Sequence, residues 1–284
     1  MDAGVTLKQG TISYRDDGQG HPIVFVHGLL VDGQLWRKVT PLLAGHYRCI
    51  VPDLPLGAHA KALNEGADRS PRGVAHLLAD FIEALGLESA TVVGSDTGGA
   101  IAQMLVTERP ERVGALVLTN CDCLENFLPP IFRPLKWAAF VPGSGWLAGQ
   151  LLRSSAVRRS PVGYGLLTRR PVPGEVSRAW AAPLLDRGVR RDLVATLKAI
   201  DKRDTIRAAE HLREFAGPTL LAWAPEDRVF PLHFAEKLRS MVPGAQLELI
   251  AESGAFVPED QPELLAQAIA TFLTRQDADE LPSD

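Results

Sequence analysis

Short apolar runs alternate along this chain with longer segments whose apolar residues recur at helical spacing. Residues 6–14 and 21–26 are β-favouring and are separated by the turn-prone Asp16-Asp17-Gly18-Gln19-Gly20, which predicts strand, turn, strand. Pro22-Ile23-Val24-Phe25-Val26 is apolar without interruption, as a strand covered on both faces should be. Further runs follow at 49–51, 90–93, 113–119, 219–223 and 246–250. Between them lie amphipathic stretches such as Val74, Leu77, Leu78, Phe81, Ile82 and Leu85. Strands alternating with helices predict an α/β fold built on a mostly parallel sheet.

The alternation breaks once, over 124–215, a stretch rich in Pro, Trp, Arg and Leu that is far too long for a bare connection. The strand-helix pattern resumes at Pro218 and ends with a helix over 262–273, so the break reads as a helical insertion rather than a separate downstream domain. The predicted organisation is a core over 1–123, an inserted helical lid over 124–215, the rest of the core over 216–275, and a solvated tail over 276–284. No internal repeat is seen.

Composition changes this picture little: 46% apolar and 23% charged residues suit a folded globular chain, and a net charge of −4 argues against nucleic acid as a partner. Cys49, Cys121 and Cys123 form neither a disulfide framework nor a zinc spacing, and read as reduced thiols of a cytoplasmic protein. No signal-like or bilayer-spanning apolar run is present, so no membrane partner is expected. No metal cluster or phosphate loop appears, and no cofactor is expected.

The chemistry concentrates at Val92-Val93-Gly94-Ser95-Asp96-Thr97-Gly98-Gly99-Ala100, which leaves an apolar strand and enters a helix over 100–109. This is a strand-to-helix turn of the form Gly-x-nucleophile-x-Gly, where small residues must flank a central residue held in a strained conformation. Gly94 and Gly98 fill the flanking places and Gly99 lets the helix approach, which puts Asp96 at the tip. Taking Ser95 as nucleophile instead would put Val93 and Thr97 where small residues belong. Read alone, the string also suits an aspartate that merely caps the helix.

Together with His27-Gly28, with Trp223-Ala224-Pro225-Glu226-Asp227 and with the lid, this turn resembles the α/β-hydrolase superfamily over nearly the whole chain. An aspartate nucleophile is similar to the haloalkane dehalogenase and epoxide hydrolase branch, in which a carboxylate attacks carbon and the resulting ester is hydrolysed with the help of a His-acid pair. The resemblance implies the α/β-hydrolase fold, an eight-stranded, mostly parallel sheet with helices on both faces and an inserted helical lid. It also implies Asp227 as the triad acid, with Asp122 and Glu125 as a second choice, and oxyanion donors in the backbone N–H groups of Thr97 and Leu29. His27 reads as a packed histidine under the loop rather than a catalytic one. The plainer reading of Asp227, a loop aspartate capping the helix that begins near Pro231, is the lesser alternative.

One position departs from the pattern. The family writes Gly-His-Phe-Val-Pro where this chain reads Gly254-Ala255-Phe256-Val257-Pro258, so Ala255 stands in the histidine's place, and no histidine follows it. General-base assistance contributes about 10²–10⁴-fold, and alanine supplies none. Three explanations are open: another histidine, His59 on the rim loop beside Asp53 or His233 beside Asp227, takes over; the reaction is not of the expected kind; or the residue has been exchanged to trap an intermediate.

Leu29 and Thr97 also lack the side-chain N–H donors that dehalogenases place there for halide, and Tyr164 is the one lid tyrosine where epoxide hydrolases use two. The first functional expectation is an α/β-hydrolase-fold hydrolase acting through Asp96 on a small apolar organic substrate. The alternatives are a non-hydrolytic enzyme of cyclase or lyase type with Asp96 as base, and a ligand-binding member with impaired turnover. Phe127, Phe132, Trp137, Phe140, Trp146 and Trp180 suit an apolar ligand or plain packing. The lid arginines, Arg153, Arg158, Arg159, Arg169 and Arg170, suit a solvated surface or an anionic group. Oligomeric state is open, a homodimer being one option.

Overall fold

The computed structural model describes residues 2–279. Eight strands form one sheet: β1 (Asp2–Leu7), β2 (Gly10–Asp17), β3 (Pro22–Val26), β4 (Arg48–Pro52), β5 (Ala90–Asp96), β6 (Val113–Cys121), β7 (Thr219–Trp223) and β8 (Gln246–Leu249), in the spatial order β1-β2-β4-β3-β5-β6-β7-β8. β2 pairs antiparallel with β1 and β4, and every other pairing is parallel. Ile23, Val24, Phe25 and Val26 are fully buried, which is why β3 reads as an unbroken apolar run.

The first predicted strand is corrected. Residues 6–14 are not one strand but the two sides of a hairpin turning at Lys8-Gln9, with β1 beginning at Asp2 and Gly10 at φ 151° receiving the chain. Thr6 pairs with Thr11 across the turn. Polar residues in mid-strand were the available signal, because a tight turn needs no proline.

Between the early strands lie α1 (Thr40–Leu43), α2 (Pro71–Ala84) and α3 (Thr97–Glu108). α2 starts where the sequence says it should: Pro71 takes the first helical position and the Ser70 hydroxyl accepts the Gly73 N–H at 3.0 Å. Its apolar face packs against α3, which in turn lies on β5 and β6.

The segment joining β6 to β7 carries α4 (Arg133–Ala138), α5 (Ser144–Leu151), α6 (Ser155–Arg159), α7 (Gly174–Ala181), α8 (Arg187–Ala199) and α9 (Lys202–His211). Specific polar contacts hold this insertion over the loops that follow β3 and β8. The Tyr164 hydroxyl donates to the Leu30 carbonyl at 2.8 Å, and Trp180 Nε1 donates to Asp32 Oδ1 at 3.0 Å. The Phe256 N–H donates to the Leu167 carbonyl at 2.8 Å.

A further anchor is Asp192 of α8, whose carboxylate is fully buried. It accepts from the Leu63 N–H at 2.7 Å and from Arg69 Nε at 2.5 Å, and also pairs with Arg191 and His59. These donors hold its carboxyl well below the usual range against the opposing effect of burial.

After β7 come α10 (Leu232–Met241), α11 (Val257–Asp260) and α12 (Pro262–Asp279). The predicted tail from 276 is corrected in part, since α12 continues to Asp279, while residues 280–284 lie outside the described residues. Among the described residues no helix is long and apolar enough to cross a membrane.

Breaking the Asp192 cluster strands buried or half-buried cations against the core. Asp192→Ala is therefore expected to lower unfolding stability by about 3–5 kcal/mol, read by urea denaturation at neutral pH. A loss under 1 kcal/mol would mean that the insertion is held by packing alone.

Candidate functional site

β3, β5, β6 and β7 run parallel and side by side, so the residues leaving their carboxyl ends meet along one edge of the sheet. The chain turns outward in opposite directions from β3 and β5, and in open α/β sheets such a switch point is where ligands bind. His27-Gly28 leaves β3, Asp96 ends β5, Asp122 follows β6 and Asp227 follows β7.

Asp96 has φ 55° and ψ −134°, a backbone conformation that L residues rarely adopt. Two glycines permit it by close approach. A Cβ at Gly98 would lie 2.3 Å from the Val26 carbonyl oxygen, and one at Gly28 would lie 2.5 Å from the Asp96 carboxyl carbon. The Asp96 side chain also stands at the N-cap of α3, so the capping geometry and the exposed-tip geometry coexist: Oδ1 accepts the Thr97 N–H at 2.5 Å. Ser95, by contrast, is fully buried.

In front of Asp96 is a cavity of about 260 Å³. Its wall is almost wholly apolar: Leu29, Leu30 and Leu128 from the core loops, with Phe132, Leu152 and Leu197 from the insertion. Asp96 and Asp122 are the carboxyl groups that reach this wall. Burial pushes Asp96 up to about 7, against the opposing pull of its bonds from Thr97, with Asp227 adding to the rise.

Asp122 is buried behind the nucleophile turn. Its Oδ1 accepts the Leu128 N–H at 2.9 Å, and its Oδ2 lies 2.7 Å from Thr97 Oγ1, which is itself 3.1 Å from Asp96 Oδ1. One hydroxyl proton cannot serve two carboxylates. Both contacts are hydrogen bonds only if one of the two aspartates is a carboxylic acid that donates to Oγ1. Burial, with Asp96 as the next cause, pushes Asp122 well above the usual range, the direction that favours Asp122 as that acid. The Thr97 hydroxyl then points its proton at Asp96.

Asp227 is also buried, and burial raises its carboxyl. Its donors are the Val229 N–H at 2.9 Å, the Phe230 N–H at 3.1 Å and Asn120 Nδ2 at 2.9 Å. It does not cap α10, which leaves the helix-cap reading of Asp227 without support.

None of the seven histidines lines the cavity. His27 is fully buried under the loop after β3, where Nε2 accepts the Leu54 N–H at 2.9 Å and Nδ1 donates to the Gly28 carbonyl at 2.9 Å. Burial lowers its basicity, as suits a neutral packed imidazole. Asp53 beside it accepts the Gly33 N–H at 2.9 Å and anchors that loop.

His59 is corrected: it is not brought to Asp96, because the buried ring is tied to Asp192 at 3.3 Å in the anchor of α8. His233 lies against the Phe234 ring and Glu125 pairs with Lys237 at 3.1 Å, so neither reaches the cavity. Ala255 is fully buried beside Phe256, whose ring meets Trp180 edge-on. Leu29 lines the cavity next to Asp96.

Three participants went unread in the sequence. The Thr97 hydroxyl was passed over because only its backbone N–H was considered. Asn120 looks like any polar residue at a strand end, and Asp192 lies far from His59 along the chain.

An aspartate raised to about 7 is a stability cost above its unfolded value of 3.8. The folded state binds the extra proton between those pH values, so stability falls as pH rises from about 4 to about 7 and the loss is complete above that. Asp96→Asn keeps the cap and removes the charge. It is expected to be more stable than the parent by about 4 kcal/mol at pH 8 and equal to it near pH 4, read by thermal melts across pH. A gain that does not vary with pH would show that the carboxyl is not the strained group.

Comparison with known proteins places the chain. The sequence pattern described as alpha/beta hydrolase fold matches residues 21–262. A cis-3-alkyl-4-alkyloxetan-2-one decarboxylase of Shewanella oneidensis is 29% identical over 273 residues, 93% of this chain and 85% of the relative. Haloalkane dehalogenase 2 of Mycobacterium tuberculosis is 28% identical over 275 residues, 92% and 91% of the two chains. The crystal structure of haloalkane dehalogenase DbeA from Bradyrhizobium elkani superposes with a TM-score of 0.82 at 22% identity, covering 99% of each chain, a likeness of fold alone. With a doubly wound eight-stranded sheet, a strained turn after β5 and a sequence match over most of its length, this chain belongs to the α/β-hydrolase family.

Proposed function

We propose that the chain is an enzyme in which Asp96 forms an ester with an electrophilic carbon of an apolar, oxygen-containing substrate, and that the ester breaks down by elimination rather than by histidine-assisted water attack. The observation that carries this reading is a carboxyl raised by burial that faces an apolar cavity lined by no imidazole. A hydrolytic Asp ester needs a base for its second half, whereas an eliminating one needs only that Asp96 leave again.

An oxetan-2-one ring, the substrate class in the name of the Shewanella relative, meets those demands without a proton or a water. Asp96 Oδ2 attacks C4, the ring C4–O bond breaks, and its electron pair becomes a free carboxylate. That carboxylate leaves as carbon dioxide, its C–C pair forms the C3=C4 bond, and the C4–Oδ2 pair returns to Asp96. Lactone becomes alkene and carbon dioxide, and the enzyme is restored.

An apolar wall favours the second step, because a carboxylate stripped of water is destabilised relative to neutral carbon dioxide. As charge returns to Asp96, the Thr97 N–H and the Thr97 hydroxyl, backed by the Asp122 acid, receive it at Oδ1. A hydrolytic reading has one observation in its favour, the Asp122 carboxyl at the cavity wall, which could act as a base for water once ionised.

Incubation with a cis-3,4-dialkyl oxetan-2-one in ¹⁸O-water separates the two. Elimination gives alkene and carbon dioxide with no label in the organic product, while a labelled 3-hydroxy acid would overturn it in favour of hydrolysis. Asp96→Asn should lower turnover on the order of 10³-fold or more. Since the attacking form is the carboxylate, kcat/KM of the parent should rise with pH through about 7 and level off above it.

A further inference from the structure

The consecutive helices α4 and α5, a hairpin by the chain reversal at Gly143, carry apolar side chains both to the cavity and to the outside. Inwardly, Leu135, Ala138, Gly145 and Ala148 line the cavity. Outwardly, Trp137 is 67% exposed, Phe140 61% and Trp146 54%, with Val141 and Leu147 beside them. Eight of the twelve exposed large hydrophobic residues among the described residues fall within 131–162. A helix that is apolar all round is ordinarily buried in protein or in lipid, and α5, with only Ser144 and Gln150 polar, is open on its outer side.

Charge supplies the second observation. Between Glu125 and Glu175 there are seven Lys and Arg and no Asp or Glu, in a chain whose net charge is −4. Arg133 of α4, Arg153 just after α5 and Arg159 at the end of α6 are exposed, and Lys198 of α8 adds its ammonium 5.2 Å from the Phe140 ring centre. Tryptophan and aliphatic side chains set among cations of one sign make up the composition of a surface that lies in a lipid interface. Leu151 and Val162, the latter 81% exposed, belong both to this outer surface and to the cavity wall, so the mouth of the cavity opens within it.

We propose that the outer face of the α4–α5 hairpin docks on an anionic lipid bilayer, with the cavity mouth turned to the acyl chains so that an apolar substrate passes from lipid to Asp96 without crossing water. The expectation of no membrane partner rested on the lack of a spanning segment, and an interfacial surface needs none. Docking depends on the surface alone and stands apart from the chemistry proposed for Asp96.

The test uses the full chain with vesicles of phosphatidylcholine, with and without phosphatidylglycerol, and with brominated acyl chains. Of the five tryptophans, Trp36, Trp180 and Trp223 are fully buried, so bromine quenching reports Trp137 and Trp146. Binding and quenching are expected on phosphatidylglycerol vesicles at low salt, weakening as salt rises. Phe140→Ser with Leu147→Ser, which leaves both reporters in place, should lower partitioning by about tenfold or more, and Arg153→Glu with Arg159→Glu should abolish the preference for anionic lipid.

No binding to either vesicle at low salt would overturn the proposal. So would a dimer by light scattering that the Phe140→Ser, Leu147→Ser variant dissociates, because the hairpin would then be covered by a second copy. No substrate is involved, so vesicle binding can succeed where the alkene assay fails, and the reverse.

Discussion

The strained turn at Asp96 is the constraint around which the rest of the site is arranged. A carboxylate can face the cavity from the end of β5 only because its backbone sits at positive φ, and that conformation survives only where β3 and α3 come close enough to hold it. Gly98 against the Val26 carbonyl and Gly28 against the Asp96 carboxyl are the two contacts in which a methyl group would have to push backbone or nucleophile aside. Gly28 is therefore part of the surroundings of Asp96, although it adds no functional group.

Around that turn the electrostatics are unusual for what they lack. Asp96, Asp122 and Asp227 lie close enough for charge on one to affect its neighbour, yet no Lys, Arg or His side chain donates to any of the three among the described residues. Where a His-acid pair would share positive and negative charge, this site lowers its charge by keeping protons. Burial favours the protonated form of Asp122, the Thr97 hydroxyl stands between it and Asp96, and Asp227 is met by Asn120 and by backbone N–H groups of its own loop.

The insertion divides its labour between anchoring and covering. α8 is tied down by a buried carboxylate with several donors, and Tyr164 and Trp180 fasten the middle of the insertion to residues 30–32. α4 and α5 have fewer such ties and carry apolar side chains both to the cavity and to the outside. The part of the molecule that covers the cavity is thus also the part with the most exposed apolar surface among the described residues.

Much of the fold was legible in the sequence because it depends on local patterns: unbroken apolar runs for strands buried on both faces, a 3.6-residue repeat for α2, and a glycine-bracketed turn that admits one register. The hairpin at Lys8-Gln9 was missed because its turn residues look like polar strand positions, and the end of α12 because its last turns are too polar to show a pattern. Of the candidate site, the strained turn at Asp96 was legible because one short string holds it. What only the tertiary structure decided are the pairings across long separations: His59 with Asp192, Asn120 with Asp227, and the Thr97 hydroxyl between Asp96 and Asp122. A side chain's partner and its protonation depend on what burial brings within 3 Å of it, and no spacing along the chain encodes that distance.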